Sequence, residues 1–216
     1  MEKNNMGAIQ LTTSPTEESL VGKSHWWGAP DLPPGVPYPC VKTLEDGNEY
    51  DDPLTFLCQI QMADVTRFDT EGLLPRSGML YFFAAIDYFL GEPSPLQLSL
   101  HGAAGDTVKV VYAPDTTGLK PYEMHWEGTA ESVFRPAEAI RFAQAPLLGD
   151  GHRMLGRPYQ DEVADAYPSF VSLLQVDEDD RWGLRFFDCG TMYLLITPEA
   201  LRQRRFEEVQ CEVFTY

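Results

Sequence analysis

Few histidines, scattered cysteines, a shortage of bases and no long apolar run each close off a class of function. The four histidines, His25, His101, His125 and His152, have no second histidine, cysteine or acid at a metal-ligand spacing, so neither a metal nor another cofactor is expected. Cys40, Cys58, Cys189 and Cys211 are far apart with no CxxC pair, which reads as free thiols rather than a disulfide framework. No apolar run approaches the ~20 residues of a membrane span, and residues 1–11 lack the apolar stretch of a signal peptide, so a cytoplasmic protein is expected. Lys and Arg number 16 against 33 Asp and Glu, a net charge of −17. Such a surface repels nucleic acid and anionic membranes. It permits a cationic protein as partner, although the same acids also keep a protein in solution without any partner.

Catalytic and nucleotide signatures are missing too. There is no G-x-S-x-G elbow and no G-x-G-x-x-G loop. Gly22-Lys23-Ser24 looks like the tail of a phosphate-binding loop, but the motif needs a glycine at position 17, which is Glu17. Residues 177–180 imitate the start of a calcium loop until Arg181 takes the fifth position and Gly183 falls one place late. A solvated hairpin tip is the expectation there.

What the chain does have is apolar strands, and it has them twice. Leu57-Cys58-Gln59-Ile60-Gln61 returns as Leu173-Leu174-Gln175-Val176-Asp177, and Gly78-Met79-Leu80-Tyr81-Phe82-Phe83 returns as Gly190-Thr191-Met192-Tyr193-Leu194-Leu195. Upstream, Trp27-Gly28-Ala29-Pro30 is echoed by Leu155-Gly156-Arg157-Pro158. Three echoes in one order suggest an internal duplication. Simple alternation puts Leu54, Phe56, Cys58, Ile60 and Met62 on one face of the first strand, and Thr55, Leu57, Gln59 and Gln61 on the other. With 44% hydrophobic residues the chain can cover both faces. The expected fold is therefore α+β: strand-rich mixed sheets built from two intertwined, pseudo-symmetric repeats, with few short helices. Residues 1–21 read as a flexible arm, with a short helix around 16–20. Residues 22–216 read as a single domain whose halves are roughly 22–145 and 146–216.

Between the repeated strands the expectations are coarser. Residues 25–39 form a proline-rich aromatic loop, and residues 45–52 an acidic loop. Residues 96–100 and 108–112 form a hairpin, and residues 119–145 are irregular apart from a strand at 139–142. Thr197-Pro198-Glu199 starts a helix that ends near Arg205, and a last strand runs over 209–214.

The residues Gly28-Ala29-Pro30-Asp31-Leu32-Pro33, then Pro53-Leu54-x-Phe56-Leu57-x-Gln59-Ile60, then Leu74-Pro75-x-x-Gly78-x-Leu80-Tyr81-Phe82-Phe83 resemble the YwqG-like family, also called DUF1963. Leu155-Gly156-x-Pro158, Leu173-Leu174-Gln175 and Asp188-x-Gly190-x-x-Tyr193-x-x-Ile196 continue the resemblance to about residue 215. It implies a strand-rich bacterial cytosolic protein and brings no activity with it. The chain departs from the family where Trp27-Gly28 and Leu155-Gly156 stand for a frequent double glycine, and where Phe186-Phe187 precedes Asp188.

Candidate sites follow from these patterns. Gln59 and Gln175 occupy the same place in two apolar strands, as interstrand clamps or as amides facing a shared ligand cleft. Trp26 and Trp27 are core aromatics or a stacking platform. His25 and His152 each precede an echoed Gly-x-Pro, and with Asp188 they complete the ligand-binding candidates. The acidic pairs Asp51-Asp52 and Asp179-Asp180 are the partner-binding candidates. Two functions stay open. One is a binding or interaction module that masks a cationic partner, as an immunity protein blocks a nuclease-like toxin. The other is a hydrolase-like enzyme with a cleft between the repeats, using His25 or His152 with a nearby acid.

Overall fold

The computed structural model describes residues 7–86, 103–104, 107–186 and 189–215. The expected strand at 96–100, His101 and Asp188 lie outside them. Most of the strands join one 11-stranded sheet. At its centre β1 (Ala8–Pro15) runs antiparallel to β11 (Glu138–Ala145) over all eight residues. On one side of this pair lie β2 (His25–Trp26), β6 (Thr55–Gln61), β7 (Met79–Ala84) and β9 (Val108–Ala113), in that order. On the other lie β12 (Arg153–Met154), β13 (Val171–Asp177), β14 (Gly190–Ile196), β15 (Gln210–Thr215) and β8 (Ala103–Ala104). Two small sheets stand apart: β3 (Asp31–Leu32) with β10 (Lys120–Pro121), and β4 (Cys40–Glu45) with β5 (Asn48–Pro53). Among the described residues the helices are α1 (Met62–Val65), α2 (Asp161–Ala166) and α3 (Pro198–Arg202). The protein is thus dominated by strands, with few short helices, as the composition implies.

The sheet curls until its two ends approach. Its outermost strands, β8 and β9, are neighbours in the chain, and Tyr112 of β9 packs on Phe206, just before β15, with ring centroids 5.8 Å apart. The principal core fills the inside of this curl with residues from both ends of the sheet, including Leu57, Ile60, Leu80, Phe82, Leu174, Val176, Met192 and Leu194. Two smaller clusters cover its outer face. Tyr38, Phe56, Tyr81 and Phe83 form one with segments that follow β3 and β9, and Val163 of α2 forms the other with Tyr193 and Leu195. Strand side chains alternate between faces, so strands covered on both sides need apolar residues in succession, and β7 carries them throughout and β14 from Met192 to Ile196.

The alternation expected for the repeated strands breaks at one residue in each. The β6–β7 register shifts between Phe56 and Cys58, and the β13–β14 register between Ser172 and Leu174. A bulge places two successive residues opposite one and reverses the facing of everything beyond it. Leu57 therefore joins Cys58 in the principal core and Leu173 joins Leu174, while Leu54 and Phe56 turn to the outer cluster.

Other expectations are corrected as well. The arm expected over 1–21 contains β1, held by β11 on one edge and β12 on the other. Its Ile9 and Leu11 are buried at single polar spacing, the pattern of a strand, while neighbouring threonines and serine gave the segment a polar average. No helix forms at 16–20. The acidic segment 45–52 is the end of the β4–β5 hairpin, turning at Asp46-Gly47 with both residues at positive φ. Strand β9 pairs with β7, and β11 extends to eight residues. The helix after Thr197 starts as expected, with the Thr197 hydroxyl accepting from the Ala200 amide at 3.2 Å, and closes at Arg202.

Candidate functional site

The sequence candidates gather in two buried polar clusters, one on each side of the β1–β11 pair. The first is built on Asp31, which is 1% exposed. Its Oδ2 accepts from the Gly22 amide at 2.7 Å and from Gln59 Nε2 at 2.6 Å, and its own amide donates to Gln59 Oε1 at 2.8 Å. Gln59 Nε2 also donates to the Lys23 carbonyl at 2.9 Å. The amide of Gln59 thus has both donor hydrogens and its oxygen engaged. Tyr81, opposite Gln59 on β7, donates to the Asp31 carbonyl at 2.6 Å. Burial, with Asp31 nearby, pushes its phenol well above the usual range. His25 lies beside Gln59 in register, Nδ1 2.6 Å from the Trp27 carbonyl and Nε2 3.8 Å from Asp31 Oδ2. The short contact to a carbonyl requires the proton on Nδ1.

The second cluster joins the two sides. Gln175 donates to the carbonyls of Gly149 and Gly151 at 3.0 and 2.9 Å. His152 accepts at Nδ1 from the Asp177 amide at 3.1 Å, which leaves its proton on Nε2, 3.7 Å from Asp179 Oδ2. Its ring stacks on Trp182 at 5.0 Å and lies 4.8 Å from Trp26, and the two indoles stack at 5.3 Å. Trp27 meets Trp182 edge-on at 5.3 Å. The Trp182 Nε1–H donates to Glu138 at 2.8 Å, and Arg181 ties Glu138 to Asp179. Hydrogen bonding to His152, then Arg181, holds the Asp179 carboxyl well below the usual carboxylate range.

This geometry bears on several of the paired readings. Gln59 and Gln175 spend both amide hydrogens on the protein, each tying a loop to its strand. Trp26 is core. The junction between the two sides, where a cleft was expected, is hydrogen-bonded sheet packed with Trp26, His152 and Trp182. Both histidines direct their ring nitrogens at the protein itself. Burial raises the Cys58 and Cys211 thiols above their ordinary range; all four cysteines are free.

The acidic candidates divide. Asp179 is 13% exposed and paired with Arg181, and Asp180 pairs with Arg185. Asp51 and Asp52 lie on exposed β5, where Lys42 reaches Asp51 at 2.7 Å and the Thr43 hydroxyl donates to Asp52 at 2.6 Å. Sequence reasoning missed Asp31, Glu138 and Trp182. A lone acid inside a proline-rich apolar loop was a signal for Asp31; nothing local marks the other two, which meet each other across 44 residues.

The left-handed backbone is repeated as well. Trp27 and Gly28 have φ of 55° and 73°, and Leu155 and Gly156 have 58° and 90°. Both glycines also sit against neighbours: a Cβ at Gly28 would lie 2.6 Å from Ala137 Cβ, and one at Gly156 2.7 Å from the Leu147 carbonyl. A left-handed conformation costs Trp27 and Leu155 about 1–2 kcal/mol each, and their burial offsets it.

No curated protein matches the chain. A family model described as a domain of unknown function matches it in two overlapping segments, residues 24–146 and 120–213. The chain belongs to that family, DUF1963.

Proposed function

We propose that the protein is a cytoplasmic binding module whose β4–β5 hairpin takes up a basic, extended segment of a partner protein and so masks it. The observation that carries this is the hairpin itself. Every residue of β5 is exposed, and β4 pairs only with β5 among the described residues. Asp46, Glu49, Asp51 and Asp52 line it against a single base, Lys42, and Leu44 and Tyr50 stand 79% and 47% exposed beside them. Free strand edges accept an added strand through backbone hydrogen bonds, and flanking side chains then choose its sequence. Acids select a cationic segment and steer its approach. Asp179 and Asp180 contribute less, being neutralised by Arg181 and Arg185. The hydrolase reading loses support because neither His25 nor His152 has a ring nitrogen turned to an open cleft.

A peptide of alternating lysine and valine, eight residues long, serves as the probe, with its glutamate–valine twin as control. Calorimetry at low salt is expected to detect the basic peptide alone, with affinity falling as salt screens the charges. The variant E49Q/D51N/D52N is expected to bind at least tenfold more weakly at an unchanged melting temperature. Equal binding of the two peptides, or an indifferent triple variant, would remove the hairpin as the site.

We infer also that the two sides of the sheet descend from one duplicated unit, β1-β2-β6-β7-β9 and β11-β12-β13-β14-β15. The matching bulges, left-handed pairs, clamp glutamines and facing tyrosines support this, as do the two overlapping family matches. The halves then divide before β11, near 120–137, rather than at 145. One rotation should carry β2, β6, β7 and β9 onto β12, β13, β14 and β15, and two unrelated rotations would dismiss the idea.

A further inference from the structure

We propose a second, independent site: the cavity beside the N-terminal end of β6 binds a small aromatic carboxylate, with Arg135 pairing its charge. The cavity holds about 270 Å³, and its walls include Trp27, Tyr38, Phe56, Trp126, Phe134 and Arg135. Ligand pockets commonly run from about 300 to 1,000 Å³, so this one suits a compound of one or two rings.

Arg135 determines the sign of the ligand. Its guanidinium carbon lies 5.2 Å from the Trp27 ring centroid, a cation stacked on an aromatic wall. A cation over a ring face still has N–H groups to offer, and a guanidinium can receive a carboxylate in a two-point contact. Among the described residues no carboxylate pairs with Arg135, in a chain of 33 acids and 16 bases. Arg135 is half-buried, and the Trp27 ring is what its charge meets there. It is also the only basic side chain among the described residues of the cavity wall. A single cation matches a monoanion such as a carboxylate; a phosphate dianion calls for more donors.

The remaining walls determine the body of the ligand. Trp27, Tyr38, Phe56 and Phe134 offer ring faces and edges, and Leu54, Ile86, Met124 and Val133 fill between them. Trp126 forms part of the wall and is 41% exposed. The site owes nothing to the acids of the hairpin, so its failure and the failure of the hairpin reading are distinguishable.

The probe is 2-naphthoate, compared with its neutral isostere 2-naphthamide, by ligand-observed NMR and calorimetry on the full chain. The carboxylate is expected to bind wild type at least tenfold more tightly than the amide. In Arg135→Gln that preference should vanish while the amide binds as before, with melting curves reporting that the variant is folded. Equal affinity of the two compounds for wild type, no binding of 2-naphthoate, or a preference that survives in Arg135→Gln each overturns the proposal. The wild-type comparison decides the matter even where the variant does not fold.

Discussion

Gln59 and Gln175 hold equivalent places in β6 and β13, yet their loss should be unequal. Replacing Gln59 with leucine leaves the Asp31 amide without its acceptor and removes one donor from a carboxylate that is 1% exposed. Replacing Gln175 strands only the carbonyls of Gly149 and Gly151. Unpaired buried groups cost about 1–3 kcal/mol each, and more when charged, so Gln59→Leu is expected to destabilise the protein clearly more than Gln175→Leu in urea titrations. Equal midpoints would refute that ranking. Asp179 offers a test by pH. Its folded pKa lies below the unfolded value of about 3.9, so its ionised form stabilises the fold. That contribution is complete above about pH 4 and fades as pH falls through the depressed folded value. Asp179→Asn is therefore expected to lower stability by a constant amount from neutral pH down to about 4, and by progressively less below it. A gap that widens in acid would show the sign to be wrong. Much of this was legible beforehand: an amide in an apolar strand has to be satisfied. The partners were not, because Asp31, Gly149 and Gly151 are supplied by loops whose paths no local pattern records.

At the scale of elements, legibility followed hydrophobic content. The strands β6, β7, β13 and β14 and the capped start of α3 could be read directly. The β4–β5 hairpin could not, since Asp, Glu and Asn are poor strand formers and one exposed face gives no alternation. The bulges at Leu57 and Leu173 were invisible because each is followed by another apolar residue, Cys58 and Leu174, so the pattern shows no break where the facing changes. The largest misreading is β1, a polar-looking segment at the centre of the sheet. Deleting residues 1–15 is expected to abolish cooperative unfolding, because it strips a whole neighbour from β11 and two pairs from β12 and bares Ile9 and Leu11 contacts within the core. A truncated chain that melts with the same midpoint as the full one would restore the reading of an arm.

Across the whole molecule, the same pairing binds the two sides to one another. β1 comes from the first part of the chain but lies against β12, and β11 comes from the second part but lies against β2. Neither side owns all of its own edge, and the principal core takes residues from both. This is why a strand-rich fold could be foreseen from the repeats while its interlocking could not: echoes in sequence fix which segments are alike, and long-range pairing decides which are adjacent. The exchange has a consequence for how the protein is made. During synthesis β1 leaves the ribosome well before either of its partners, β11 and β12. Until Glu138–Met154 has been translated, β1 must wait with both of its edges open, and β2, already beside β6, waits for β11 on its other edge. Such a nascent chain is an open template for pairing with its neighbours on the same message, and its safe passage depends on elongation being fast or on a chaperone holding the first half until the second arrives.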